Sequence, residues 1–135
     1  MDTDKIESIP KTMEKFLGCS GKMVKPSLSS VKNVVKKIRK GKLVTLEILR
    51  EKLAADFNVQ TACPASTTKI LQILSKEEHP ICYWRVVKKK GELLSKFPDG
   101  VEGHAALLER EGFEIDFSKK NPIVIGYQDK LFKLT

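Results

Sequence analysis

Cysteine and histidine are the residue types here that could supply a nucleophile or metal ligands, and the chain has three cysteines and two histidines. An odd number of widely spaced cysteines is typical of free thiols in a reducing compartment. Zinc binding is an alternative that four residues could in principle support: Cys63, His79, Cys82 and His104. The sequence has neither a Cys-x-x-Cys pair nor paired histidines, so we predict no metal and no cofactor, and we expect small buried cysteines instead.

Two adjacent aromatic residues and an arginine form a second candidate group. Tyr83 and Trp84 could stack on a nucleic-acid base, a contact worth about 1 to 3 kcal/mol, and Arg85 completes this predicted base pocket. The β-branched and aromatic residues from 81 to 87 predict a strand. Because side chains alternate between the two faces of a strand, at least one of the two aromatic residues is expected to pack in the core instead.

The positive charge is concentrated in one quarter of the chain. The net charge is +8 overall and +8 for residues 22 to 52 alone, while residues 1 to 21 carry −1 and residues 53 to 135 carry +1. A positive excess confined to one segment favours a polyanionic partner, with nucleic acid the first candidate and an anionic membrane surface the second. A lysine-rich surface that is merely solvated would have the same composition. The predicted phosphate contacts in this segment are Lys36, Arg39, Lys40 and Lys42. A later turn adds three lysines that could bind phosphates or simply be solvated: Lys88, Lys89 and Lys90.

Three predicted helices would position these residues. The first begins with Ser29 or Ser30 as N-cap, ends at Gly41 and carries the basic residues on its outer surface. Its core-facing residues recur at helical spacing: Val31, Val34, Val35 and Ile38. Thr45 would cap the second helix. The third begins near Ser66, and the pattern leaves five polar residues on its exposed face as predicted DNA contacts: Ser66, Thr67, Thr68, Lys69 and Gln72.

A hairpin, a helix and a second hairpin would complete the fold. The first hairpin joins residues 81 to 87 with residues 92 to 94, the helix spans residues 101 to 111, and the second hairpin turns around Asn121 and Pro122. Three helices followed by a hairpin with a basic turn are typical of a winged helix-turn-helix, a mainly helical fold with a small amount of β-structure. The same order also occurs in protein interaction modules.

The domain organisation follows from these elements. We predict an N-terminal lead segment over residues 1 to 27, a winged-helix domain over residues 28 to 115 and a C-terminal β extension over residues 116 to 135. The lead segment has weak periodicity, with one short amphipathic helix within residues 9 to 17. One compact unit of this size is expected to be a monomer.

Four stretches of the winged-helix region resemble a known family. IRKGKLVTLEILREKLA, CPASTTKILQIL, PICYWRVVKKKGEL and FPDGVEGHAALLEREGFEI keep the order of the motifs in the C-terminal domain of alkylguanine-DNA alkyltransferases and in alkyltransferase-like proteins. The resemblance implies a winged helix-turn-helix whose third helix enters the minor groove of DNA. It also implies a role in DNA repair.

The departures from this family concern its reactive residues. The repair enzymes carry Pro-Cys-His-Arg-Val, and alignment on Arg85 places the nucleophilic cysteine at Tyr83 and the histidine at Trp84. The glutamate of the same network is retained as Glu111. A phenol titrates near ~10 and is a poor nucleophile, so Tyr83 cannot replace the cysteine. The family's helix-capping tyrosine falls at about Leu46, and the arginine that fills the gap left by a flipped base falls at about Thr68.

The sequence therefore predicts a noncatalytic protein that binds duplex DNA, with alkylated guanine as a possible target and DNA repair proteins as further partners. One alternative is an active methyltransferase that uses Cys82, with Glu111 as the surviving member of the network, although Cys82 would lie on the opposite face of the predicted strand. Another is a protein interaction domain that has kept the fold. The chain start does not resemble a secretory signal and no apolar run reaches the length of a membrane span, so we expect a cytoplasmic protein.

Overall fold

A computed structural model describes residues 3 to 134 and has five α-helices and seven short strands within them. The helices are α1 (Lys11–Leu17), α2 (Leu28–Val35), α3 (Leu46–Asp56), α4 (Pro64–Ser75) and α5 (Gly100–Arg110). The strands are β1 (Lys5–Ser8), β2 (Lys22–Lys25), β3 (Val44–Thr45), β4 (Thr61–Ala62), β5 (Val86–Val87), β6 (Ile115–Asp116) and β7 (Ile123–Val124). The predicted fold class, mainly helical with a small amount of β-structure, is confirmed.

Helices α2, α3 and α4 form the central core. The apolar residues predicted on the inner face of α2 are all buried: Val31, Val34, Val35 and Ile38. The predicted N-cap is wrong, because the side chain of Ser27 accepts the hydrogen bond from the backbone N–H of Ser30. The cap of α3 is confirmed, because Thr45 Oγ1 accepts a hydrogen bond of 3.1 Å from the backbone N–H of Ile48.

Helix α2 also ends earlier than the sequence predicts. Its last residue is Val35, and the backbone then tightens, with hydrogen bonds from Lys37 N to Val34 O and from Ile38 N to Val35 O. Three basic residues predicted on the outer surface of this helix therefore follow it in a loop: Lys36, Arg39 and Lys40. Lys42, which comes after the predicted helix end at Gly41, lies in the same loop, and all four residues are exposed. We refer to residues 36 to 42 as the basic loop.

The lead segment is ordered by β-pairing with the rest of the chain. Strand β2 lies between β1, which is antiparallel to it, and β4, which is parallel. Met23 and Val24 of β2 are buried, and Met23 packs with Ile9 and Cys63. The predicted short helix is confirmed as α1, although none of its residues is fully buried. The sheet brings the lead segment beside the start of α4.

Of the hairpin predicted after α4, the turn is present, but its two strands do not pair with each other. Residues 83 to 85 form a 3₁₀ turn, so the predicted strand is reduced to β5. Strand β5 pairs in parallel with β3, not with residues 92 to 94. The turn itself is closed by a hydrogen bond of 2.8 Å from Lys88 N to Glu92 O. Glu92 then forms an antiparallel bridge with Ile123.

The final hairpin is confirmed in β6 and β7, which pair Ile115 with Val124. The chain then returns to the first part of the molecule, where Leu131 bridges Leu43 in parallel and Phe132 N donates to Leu43 O at 2.7 Å. Over residues 3 to 134, the helices are all too short or too polar to cross a membrane.

Candidate nucleic-acid interface

Tyr83, which aligns with the family's nucleophile, belongs to the core. Its side chain is 4% exposed and meets Phe97 edge to face, with ring centroids 4.8 Å apart. Burial raises the pKa of the phenol, and the charge of Asp99 adds to this effect. A buried ring cannot stack on an incoming base, so the expectation that Tyr83 lines a base pocket is wrong. The alternative expectation, that one of the two aromatic residues packs in the core, is confirmed for Tyr83.

Trp84 and Arg85 are held by Glu111, the glutamate that the resemblance identified. The indole N–H of Trp84 donates to Glu111 Oε2, and Arg85 Nε donates to the two carboxylate oxygens at 3.0 and 3.1 Å. The backbone N–H of Gly41 adds a third donor at 3.1 Å, and Arg85 Nη1 reaches Ile38 O at 2.7 Å. We call Trp84, Arg85 and Glu111 the glutamate cluster.

The ion pair of the glutamate cluster is mostly buried and electrostatically satisfied. The side chains of Arg85 and Glu111 are only 13% and 7% exposed. Burial alone would raise the pKa of Glu111, but hydrogen bonds from Trp84, Gly41 and Arg85, with the charge of Arg85, outweigh it and lower that pKa. Glu111 is thus an ionised anchor for the turn at 83 to 85 and for the basic loop. Arg85 faces this anchor, whereas Trp84 is partly exposed and its stacking on a base stays a prediction.

His104 is fully buried next to the glutamate cluster and has both ring nitrogens occupied. The backbone N–H of Leu94 donates to Nδ1 at 3.0 Å, which makes Nε2 the donor to Trp84 O at 2.8 Å. Burial lowers the pKa of His104 to about 4, against the opposing effect of the hydrogen bond to Trp84 O. The zinc alternative is therefore wrong for His104. Nowhere in residues 3 to 134 do three metal-ligating side chains of His, Cys, Asp or Glu come together.

Cys82 is partly buried and immediately precedes the 3₁₀ turn. The argument from strand faces does not apply to it, because residues 82 to 85 are not in a strand. Glu111, the retained member of the family's network, and His104, which bonds to Trp84 O, are both engaged with other partners. A thiol needs a base, a cation or a helix terminus to become a nucleophile. Neither of these two groups is free to serve Cys82 as a base.

Helix α4 presents four of the five polar residues predicted on its exposed face. Lys69 is exposed, and three others are partly exposed: Ser66, Thr68 and Gln72. Thr67 is 0% exposed, and its hydroxyl donates to Cys63 O at 2.8 Å. The prediction of Thr67 as a DNA contact is wrong, because a hydroxyl bonded to the preceding turn of its own helix can face the core.

We call the basic turn at residues 88 to 91 the wing turn. The exposed face of α4 meets this turn at a cavity of about 160 Å³. The cavity is lined by Leu46, Thr68, Lys88, Leu94, Ser95 and Lys96. Thr68 and Lys88 were both predicted from the sequence as DNA contacts, and the structure brings them together. Ser95 and Lys96 were missed, because they follow the predicted hairpin in a stretch without periodicity. We call this the wing cavity.

A second cavity of about 190 Å³ lies at the other edge of α4. Three lysines line it: Lys5 and Lys25 from the lead segment, and Lys69 from α4. Lys5 and Lys25 are paired in the β1–β2 register, and Lys25 also contacts Glu7 at 3.0 Å. The sequence did not single out these two lysines, because the net charge of residues 1 to 21 is slightly negative and Lys25, although it belongs to the basic segment of residues 22 to 52, precedes the predicted helices.

The arrangement as a whole is a three-helix core with a wing turn and a terminal hairpin. Two solved structures share it at low sequence identity. S. pombe Atl1 in complex with damaged DNA containing O6-carboxymethylguanine is 19% identical, with a TM-score of 0.57, over 78% of this chain and 94% of that chain. S. pombe ATL in complex with DNA is 21% identical, with a TM-score of 0.56 over the same shares. The resemblance noted in the sequence is thus confirmed for the fold.

At the level of sequence, no protein-family model and no curated protein matches this chain.

Proposed function

We propose that the protein binds duplex DNA without reacting with it. The observation that carries this proposal is the wing cavity, where Thr68 of α4 lies beside Lys88 and Lys96. Two separate elements thus present positive charge along one edge of a helix whose outer face is polar. S. pombe Atl1, which shares the fold, has been solved in complex with damaged DNA.

In the proposed complex, lysines hold the DNA backbone on both sides of α4. Lys88 and its two neighbours in the turn bind phosphates on the wing side, and Lys5 and Lys25 do so on the side of the lead segment. The polar residues of α4 then face the groove between them. By the family resemblance this is the minor groove. The basic loop supplies further phosphate contacts in this proposal.

Intact duplex is the favoured form of the ligand. The family's base-flipping arginine is replaced by Thr68, whose side chain is too short to fill the gap that an extruded base leaves. The wing cavity of about 160 Å³ is also well below the ~300 Å³ at which ligand pockets usually begin. Alkylated guanine is the modification whose effect on affinity we would measure first, and DNA repair is the proposed role.

Chemistry on the DNA is disfavoured by the same residues that define the site. Tyr83 is buried and its pKa is raised, so its phenolate is scarce near neutral pH. Glu111 is held by Trp84 and Arg85. We further propose a monomeric, cytoplasmic protein that works with DNA repair proteins. The three free cysteines, Cys19, Cys63 and Cys82, support the reducing compartment.

A gel-shift titration at two salt concentrations tests the proposal, with an unmodified duplex and a duplex that contains one alkylguanine. If about five phosphates are neutralised, the slope of log K against log salt is near −4 to −5. Absence of binding at about 50 mM salt, or a slope of zero, would overturn the proposal and favour the protein interaction alternative.

Mass spectrometry of the intact protein after incubation with alkylguanine DNA tests the noncatalytic part. We expect an unchanged mass. A stoichiometric alkyl adduct that disappears in Cys82→Ser, but persists in Cys19→Ser, would establish the transferase alternative.

A further inference from the structure

The C-terminal hairpin is fixed against the wing turn. Glu92, the residue after the turn, bridges Ile123 of β7, and Leu93 N donates to Pro122 O at 3.1 Å. Gly91 has a φ of +80°, and a Cβ placed there would lie 2.8 Å from the ring of Tyr127. Glycine is therefore required for the turn to approach the extension this closely. The two parts of the chain form one surface.

A cavity of about 300 Å³ opens on this shared surface. It is lined by Lys90, Glu92, Lys119, Lys120, Asn121 and Ile123. Lys90 lies at the tip of the wing turn, and Lys119 and Lys120 lie between β6 and β7. All three lysines are exposed, and in the described part of the chain none of them forms an ion pair. We call these three residues the hairpin lysines.

The local charge balance favours an anion in this cavity. Three ammonium groups face one carboxylate, that of Glu92. Asp116 adds a second carboxylate nearby, and hydrogen bonds from the Ser118 hydroxyl and backbone N–H, at 2.6 and 2.9 Å, together with the charge of Lys119, lower its pKa. Three ammonium groups against two carboxylates still leave a positive excess. Neighbouring like charges repel one another, and a bound anion relieves this repulsion.

The position of the cavity identifies the anion as a nucleic-acid phosphate. Lys88 lines the wing cavity beside α4, and Lys90, two residues further along the same turn, lines the cavity of the hairpin lysines. Positive charge therefore continues from α4 across the turn to the C-terminal hairpin. The phosphates of a DNA strand form a matching row, with one charge per ~3.4 Å of helix axis.

We propose that Lys90, Lys119 and Lys120 bind the DNA backbone beyond the wing, so that the C-terminal hairpin extends the DNA footprint of the protein. This inference rests on the proposed function. It assigns to the extension a binding role that the sequence, with its near-neutral charge after residue 53, did not indicate.

The test compares two double variants with the same charge change on different surfaces. Lys119→Glu/Lys120→Glu alters the proposed site, and Lys52→Glu/Lys133→Glu, at two lysines that line a separate cavity, is the matched control. Lys133 lies on a different surface, beside Ile48 and Glu51 of α3. We expect the first variant to lose about tenfold in affinity for a long duplex and to reduce the salt slope by about 1 to 2, because one to two phosphate contacts are lost. The control should stay within twofold of the wild type.

Two further measurements separate the possible failures. The neutral variant Lys119→Gln/Lys120→Gln should also reduce the salt slope, since attraction is lost even without added repulsion. Wild-type binding with the expected slope, together with equal affinities for the site variant and the control, would overturn this inference alone. Absence of wild-type binding would overturn the proposed function as well. Thermal unfolding of each variant establishes that the fold is intact.

Discussion

The glutamate cluster and the lysine-bearing surface of the molecule differ in how their polar groups are satisfied. In the cluster, Glu111 is surrounded by donors, and no buried side-chain nitrogen or oxygen within residues 3 to 134 lacks a hydrogen-bond partner. On the surface, Lys88 and Lys90 line cavities, and no carboxylate of residues 3 to 134 is in ion-pair contact with either lysine. Positions that align with reactive residues of the repair enzymes this sequence resembles stabilise the fold here, whereas the lysines of the surface keep unpaired charge.

The largest effect that this contrast predicts is on stability. Glu111→Ala leaves the mostly buried Arg85 guanidinium and the Trp84 N–H without their acceptor. Removal of one partner of a fully buried ion pair costs about 3 to 5 kcal/mol, and we expect the lower end of this range because the pair is partly exposed. Urea denaturation should measure this loss in the free energy of unfolding. Glu109→Ala, an exposed residue on the same helix, should change it by less than about 0.5 kcal/mol. Equal free energies of unfolding for the two variants would show that the glutamate cluster contributes no more to stability than an exposed surface residue does.

A somewhat smaller effect concerns pH. The pKa of His104 is about 4 in the folded protein and near 6.5 when unfolded, so the neutral ring stabilises the fold fully above pH ~6.5. This contribution is lost as pH falls from ~6.5 to ~4, by about 3 kcal/mol at most. His104→Gln should flatten the stability profile in this window, measured by denaturation at several pH values. His79→Gln, an exposed histidine, should leave the profile unchanged.

The smallest of these effects is expected on the binding surface. Thr68→Glu/Lys69→Glu should weaken duplex DNA binding about tenfold, because an attractive charge is lost and two repulsive charges are added. The melting temperature should hardly change, as surface substitutions usually fall within ~0.5 kcal/mol. Lys76→Glu, at the far end of α4, is the control in the same titration. Unchanged affinity in the α4 variant, with loss of binding in a triple wing variant of Lys88, Lys89 and Lys90, would place the DNA on the wing alone.

The sequence predicted the parts of the fold that repeat locally. Helical spacing identified the buried face of α2, and a hydroxyl before an apolar run identified the Thr45 cap. It failed for strands of two residues, because β3 and β5 pair across a long stretch of chain and neither is long enough to show alternation. It also failed for Thr67, since the hydrogen bond to Cys63 O that allows its burial leaves no mark in the pattern.

The candidate site was predictable only where its residues are neighbours in sequence. The three lysines of the wing turn stand together in the sequence and remain exposed. Lys5 and Lys96 come from segments without an unusual charge, and Lys25 lies in the basic segment but before its predicted helices. Only the pairing of strands and the return of the chain bring these three lysines to α4. The basic loop shows the reverse, because its charge is obvious in the sequence but its backbone is tied to Glu111 and Arg85. Its contact with DNA stays a prediction.

The parallel bridge between Leu43 and Leu131 bears on how the protein folds. Leu43 makes both backbone hydrogen bonds of this bridge, donating to Lys130 O and accepting from Phe132 N, so that the helical core is joined to residues 130 to 132. A contact between such distant positions can form only after a long loop has closed. The entropy lost in closing the loop slows folding, because the contact stabilises the chain only afterwards. During synthesis the core helices emerge first, and the edge at Leu43 stays uncovered until the later residues arrive. We therefore expect the nascent chain to depend on chaperones at this stage more than a simple helical bundle would.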